Sequence, residues 1–206
     1  MASRPCLTAL AVLMGVLVAG CGADPERPSP TDATTTDATT TDPPVDVDRY
    51  LLLAGELPGL DPVSSPFTDT GEPFDLPDDG AELLERSGYV STTHQPAEGA
   101  RSAGVSSVLL FDTEAGARDW MAYETTDATL HHLLPDSKIT RFEVPEIPGA
   151  TGWTGPDLPG TAIGTVYWTQ GRCLLIVSQE TEGPRVRPLS VGAQGIYERT
   201  GGTCPD

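Results

Sequence analysis

The segment from Gly22 to Asp48 contains almost no aliphatic side chains and is rich in Thr, Pro and Asp. It repeats Thr-Asp-Ala-Thr-Thr at 31–35 and again at 36–40. A stretch with so little apolar area cannot offset its ordering entropy, so no core forms there. Asp24, Glu26, Asp32, Asp37, Asp42, Asp46 and Asp48 face a single base, Arg27, and the like charges favour an extended chain. As a flexible coil it would reach roughly 30 Å end to end. The expectation is therefore a disordered tether, with the fold confined to the residues after Asp48.

Upstream, Arg4 precedes an apolar run from Leu7 to Ala19 broken only by Thr8 and Gly15. That is the layout of a secretory leader. As a helix the run is roughly 20 Å long, short of the roughly 30 Å of a bilayer core, so it does not read as a retained span. It ends in Val18-Ala19-Gly20-Cys21. These four residues resemble the lipobox of bacterial lipoproteins. The resemblance implies removal of residues 1–20, a diacylglyceryl thioether on Cys21 and an N-acyl chain on its new amino terminus. Two or three acyl chains anchor stably where one does not. The implied location is the extracytoplasmic face of the cell membrane. Gly22 differs from the Asp that resembles an inner-membrane retention signal, so in a two-membrane host the outer membrane is also open.

The chain then divides into a leader over 1–20, an acylated cysteine and tether over 21–48, and an extracytoplasmic domain over 49–206. The 206 residues carry 12 Lys and Arg against 30 Asp and Glu, a net charge of −18, with Lys138 the only lysine. A duplex nucleic acid requires a clustered basic face, so that class of partner is excluded. Of the four cysteines, Cys6 belongs to the leader and Cys21 to the anchor. Cys173 and Cys204 remain, and in an oxidising compartment they are expected to form a disulfide.

Within the domain, Arg49 to Leu60 reads as a short leucine-rich helix, and Asp61 to Leu76 as irregular. Asp79 with Glu82 matches a capping box and predicts a helix over 80–87 with Gly88 at its end. Tyr89–Thr93 and Val105–Phe111 read as strands, the second apolar on both faces. Asp112 and Thr113 cap a helix to about Tyr123, with Ala117, Trp120 and Met121 facing inward. Ile139–Val144, Thr161–Thr169 and Arg172–Gln179 complete the strands, the last two joined at Gln170-Gly171. Pro188 opens a final helix ended by Gly201-Gly202. The fold class is α+β, an antiparallel sheet of about five strands with helices packed on one face. A split-βαβ, ferredoxin-like order and a curved sheet of PsbP-like kind are the two candidate topologies.

Four stretches extend the resemblance to the domain itself. They are Gly55–Leu60, Phe111–Arg118, Ile147–Ala150 and Val166–Cys173. These resemble extracytoplasmic domains of small actinobacterial envelope lipoproteins and sensor-type modules. The resemblance implies location and fold, and none of the four stretches is a catalytic signature.

Candidate chemistry is sparse. His131 and His132 are adjacent and so are not the i, i+4 pair of a metal-binding helix. Asp127, His131 and Asp136 would meet only if the segment between helix and strand folded over them. Ser106 and Ser107 lack the Gly-x-Ser-x-Gly elbow, and no serine is expected to have a positioned base. Trp153 lies in a glycine-rich stretch read as a loop, where an aromatic ring serves recognition or packs back on its own domain. The leading expectation is a membrane-anchored lipoprotein whose domain binds a small ligand, a lipid or a protein partner, with no cofactor and no catalysis. The alternatives are a hydrolase or metal-dependent enzyme using Asp127, His131 and Asp136, and a structural accessory subunit of an envelope complex.

Overall fold

The structure is a computed structural model and describes residues 47–71, 78–134, 138–156, 160–183 and 186–204. Cys21, nearly all of the tether and Asp136 lie outside the described residues.

The strands are β1 (Asp61–Pro62), β2 (Phe67–Asp69), β3 (Tyr89–Glu98), β4 (Ala103–Phe111), β5 (Thr140–Glu143), β6 (Thr151–Pro156), β7 (Ala162–Gln170) and β8 (Cys173–Thr181). They form one antiparallel sheet in the order β1-β3-β4-β8-β7-β6-β5, with β2 also pairing β3. The described sheet thus has eight strands, more than the five or so expected. The additions are short edge pairs at β1 and β2 and an inner strand at β6. The glycines and Pro156 around Trp153 suggested a loop, but Gly152 and Gly155 sit in the β6–β7 ladder opposite Val166 and Ile163. A side chain at Gly152 would collide with the Phe142 ring, so close strand packing accounts for that glycine.

The helices are α1 (Asp78–Arg86), α2 (Glu114–Glu124), α3 (Asp127–Leu133) and α4 (Val186–Thr200). Thr113 caps α2, its hydroxyl accepting from the Gly116 N–H at 3.1 Å. Thr126 caps α3 in the same way through the Thr129 N–H. The segment between helix and strand that holds Asp127 and His131 is itself helical, and the Thr126 cap and buried Leu130 suffice for two turns. Helix α1 starts before the expected capping box, and the Asp79 carboxylate accepts from the Gly80 N–H instead. The Arg49–Leu60 helix is absent: a single 3-10 turn over Asp48–Tyr50 is followed by turns, which still bury Leu51, Leu52, Leu57 and Leu60.

Helices cover both sheet faces, not one. Alternation along each strand divides the core. Val108, Leu110, Val166, Trp168, Leu175 and Val177 face α4 and the Tyr50–Leu60 segment. Leu109, Phe111, Tyr167, Leu174 and Ile176 face α1, α2 and α3. Strands apolar on both sides need cover on both sides. The crossover through α2 and α3 carries the chain from β4 to the far edge, after which β5 to β8 return in sequence order, so the split-βαβ order does not form.

Two cross-links hold the domain termini. Arg199 of α4 donates to the backbone oxygens of Arg49 and Leu51 and pairs with Glu56, pinning the entry of the tether to the last helix. Cys173 and Cys204 form a disulfide with their Cα atoms 5.7 Å apart. Closing that loop is worth about 3.7 kcal/mol on a chain-entropy model. Cys204→Ala should lower the unfolding free energy by about 2–5 kcal/mol in urea titrations. Thiol titration of the unfolded, unreduced wild type should find neither cysteine free, and two reactive thiols there would contradict the bond.

Candidate functional site

Register places the polar residues of the α1–α2–α3 face in adjacent rows. One row runs Phe67, His94, Ser107, Ile176, Tyr167 across β2, β3, β4, β8 and β7. The next runs Pro96, Val105, Ser178, Thr165, Trp153. At a strand spacing of about 4.8 Å, His94 and Tyr167 lie roughly 14 Å apart. Helices α1 and α2 cover the end of this face near Tyr89 and Phe111, and Leu130, Leu134 and Ile139 cover the β6–β7 side. Between them His94, Pro96, Ala103, Val105 and Ser178 are only half-buried. The helices thus leave the sheet face over β3, β4 and β8 only partly covered, and this strip is termed the bay.

The floor of the bay is polar and internally paired. His94 Nδ1 lies 2.8 Å from the Ser107 hydroxyl, and Thr165 and Ser178 share a hydroxyl contact at 3.0 Å. Burial holds the His94 imidazole below its ordinary 6.5, against the opposing pull of Asp69, so it is neutral at pH 7. The Phe67 ring leans over it at 5.2 Å. Ser107 therefore does have an imidazole beside it, contrary to the expectation from sequence. Cross-strand pairing brings His94 and Ser107 together, and no local motif announces that.

The C-terminal end of α2 packs on β7 beside Tyr167. Gly116, Ala117, Trp120 and Glu124 form the buried stripe of that helix. Glu124 is only 6% exposed. Burial alone pushes its carboxyl up to about 7. Burial and then the Glu124 charge hold the Tyr167 phenol far above its ordinary range, so it stays protonated. Tyr167 neighbours the Trp153 indole, whose N–H completes no hydrogen bond, and neither does that of Trp120. Glu180, two positions beyond Ser178 on the same face of β8, is buried with its Oε1 unpartnered.

The residues singled out from sequence fall elsewhere. Trp153 is not on a loop: it is 3% exposed on β6, in the core with Tyr167. Asp127 and His131 are exposed on α3, and Asp127 is engaged by Arg141 at 2.6 Å. A hydrogen bond from Arg141, then its charge, holds the Asp127 carboxyl below the usual range. Asp136, the third member of that set, lies outside the described residues. Among the described residues no three His, Cys, Asp or Glu side chains gather as metal ligands. No described helix is long and apolar enough to cross a membrane. Glu124 was missed, although an acid four residues after Trp120 on an apolar stripe is a legible signal.

No family model matches the sequence, and no curated protein matches it. Two solved structures share part of its path. One is the extracellular domain of PknH from Mycobacterium tuberculosis, at 11% identity and a TM-score of 0.48, covering 69% of this chain and 86% of that one. The other is an uncharacterised protein from Mycobacterium smegmatis, at 11% identity and a TM-score of 0.41, covering 75% of this chain and 97% of that one.

The Glu124 carboxyl sets a pH dependence. Its folded value of about 7 stands above the ordinary 4.5, so between the two the folded state binds more protons than the unfolded. The associated stability is complete below about 4.5 and is lost as pH rises through about 7. Tyr123 and Tyr167, the phenols that feel this charge, are both raised and remain neutral over that range, and Asp127 stays ionised beside Arg141. The lowered His94 imidazole contributes in the opposite sense over the same range, so the Glu124 effect is the difference between proteins. Relative to Glu124→Gln, the wild type should lose about 3 kcal/mol of urea-unfolding free energy between pH 4.5 and 8. Parallel curves for the two proteins would contradict the assignment.

Proposed function

We propose that this chain is a membrane-anchored envelope lipoprotein whose domain holds a small ligand in the bay over β3, β4 and β8. The observation that carries the binding half is the half-buried floor of paired hydroxyls and a neutral imidazole. A concave site with a few convergent polar groups on an otherwise apolar lining is the usual form of a small-molecule site. The anchoring half is supported by the lipobox-like Val18–Cys21 and the tether beyond it.

A binding role fits His94 and Ser107 better than a catalytic one. Ser107 sits in the middle of β4, hydrogen-bonded to β3 on one side and β8 on the other. The strand ladders occupy the backbone N–H groups that an oxyanion would need.

Mass spectrometry of the protein extracted from its own membranes tests both halves. Denaturing spectra should show a mature chain beginning at acylated Cys21, and Cys21→Ser should lose the acyl mass. Native spectra should show an added small molecule that Ser178→Phe, which fills the bay, no longer carries. An unacylated wild type would refute the anchor. A wild type without bound mass, or a variant that keeps it, would refute the bay as the binding site.

A further inference from the structure

The sheet ends differently at its two sides. At one, β1 and β2 lie along β3; at the other, no strand among the described residues pairs the outer edge of β5. In an antiparallel ladder alternate residues turn their N–H and C=O groups away from the partner strand. Two of the four residues of β5 therefore present these groups outward from β6. Such an edge is a template for another strand. Thr140, Arg141 and Glu143 are exposed there, and Phe142 is half-buried against the core on the α4 side.

The residues of β5 select the strand that fits. Two copies meeting edge to edge about a two-fold axis pair antiparallel, and directly opposed residues must point to the same face. The axis therefore passes through one residue paired with itself. Arg141 and Glu143 share the face of Trp153 and Thr151, and Phe142 points to the other. Centred on Arg141 or on Glu143, the pairing sets like charges opposite each other. Centred on Thr140, only the start of the strand overlaps. Centred on Phe142, it sets Arg141 opposite Glu143 of the second copy, twice over, and brings the two Phe142 rings together on the far face. Opposite charges and aromatic pairs stabilise cross-strand neighbours, and like charges directly opposed destabilise them. Charge on an edge strand often protects it from association; here it repels in two registers and attracts in one.

We propose that this chain self-associates through β5, two copies pairing these strands about a two-fold axis through Phe142 so that one antiparallel sheet runs through both molecules. The partner is a second copy of the chain. Arg141 keeps its Nη2 on the Thr125 carbonyl and on Asp127, and its side chain is still 42% exposed. Strand β5 lies at the opposite end of the sheet from the bay, so the loss of either site leaves the other intact. Strands of four residues bury little area, and the contact belongs to the weak class below about 1,200 Å². The chain charge of −18 adds a long-range repulsion between copies that salt screens.

Sedimentation equilibrium of the full-length protein in density-matched detergent, at about 0.15 M salt, tests this. A reversible monomer–dimer equilibrium with a dissociation constant of about 10–300 μM is expected. Arg141→Glu and Glu143→Arg should each weaken it about tenfold or more, because each sets like charges across the axis. The double swap restores opposite charges and should recover the affinity to within about threefold of the wild type. A monomer at every concentration up to about 1 mM, single swaps that leave the dimer unchanged, or a double variant as weak as the singles overturns the proposal. Should a swap fail to fold, hydrogen exchange of the wild type decides. Outward amides of β5 must then exchange about threefold more slowly at about 1 mM than at about 5 μM, and β5 amides indifferent to concentration overturn the proposal likewise.

Discussion

Two-sided burial of the three central strands governs the architecture. Leu109 with Leu110, Leu174 with Leu175, and Val166 with Tyr167 present apolar side chains alternately to both faces of β4, β8 and β7. Each fully buried aliphatic or aromatic side chain contributes about 1.5–3 kcal/mol, so neither face tolerates exposure. One face is closed by α4 and the leucine-rich turns of Tyr50–Leu60, fastened through Arg199. The other is closed by the short helices α1, α2 and α3, which do not reach the half of the sheet near Pro96 and Val105. The bay results from that incomplete cover.

Where the local pattern and the tertiary environment agree, the elements could be read from residues alone. Val108–Phe111, the Thr113 cap, the β7–β8 hairpin and the glycine-terminated α4 are of this kind. The hairpin differs in detail, since its two-residue turn is Gly171-Arg172 with Gly171 at φ 53°. Where tertiary contacts override the pattern, reading failed. β6 looks like a loop because its glycines reflect close approach of Phe142 and Leu134, which no local rule reveals. Cover on both faces was missed because the Tyr50–Leu60 leucines bury without forming a helix.

The site was less legible than the fold for a related reason. His94 and Ser107 are thirteen positions apart and meet through strand register, and Thr165 and Ser178 do the same across the β7–β8 hairpin. Chemistry spread over a sheet face has no signature spacing. The set chosen from sequence, Asp127, His131 and Asp136, relied on closeness along the chain, and Asp127 proves to be committed to Arg141. Cys173 and Cys204 are the exception, since exclusion of Cys6 and Cys21 leaves one pairing to consider.

The cover over the β7 side of this face includes Glu124, a buried acid on the inner stripe of α2. The most direct measurement is the titration of its side-chain carboxyl by carbon-13 NMR in the full-length protein, assigned by its loss in Glu124→Gln. A midpoint near pH 7 is the expected result. A midpoint near the ordinary 4.5 would contradict the burial of this group and the packing of α2 on the sheet.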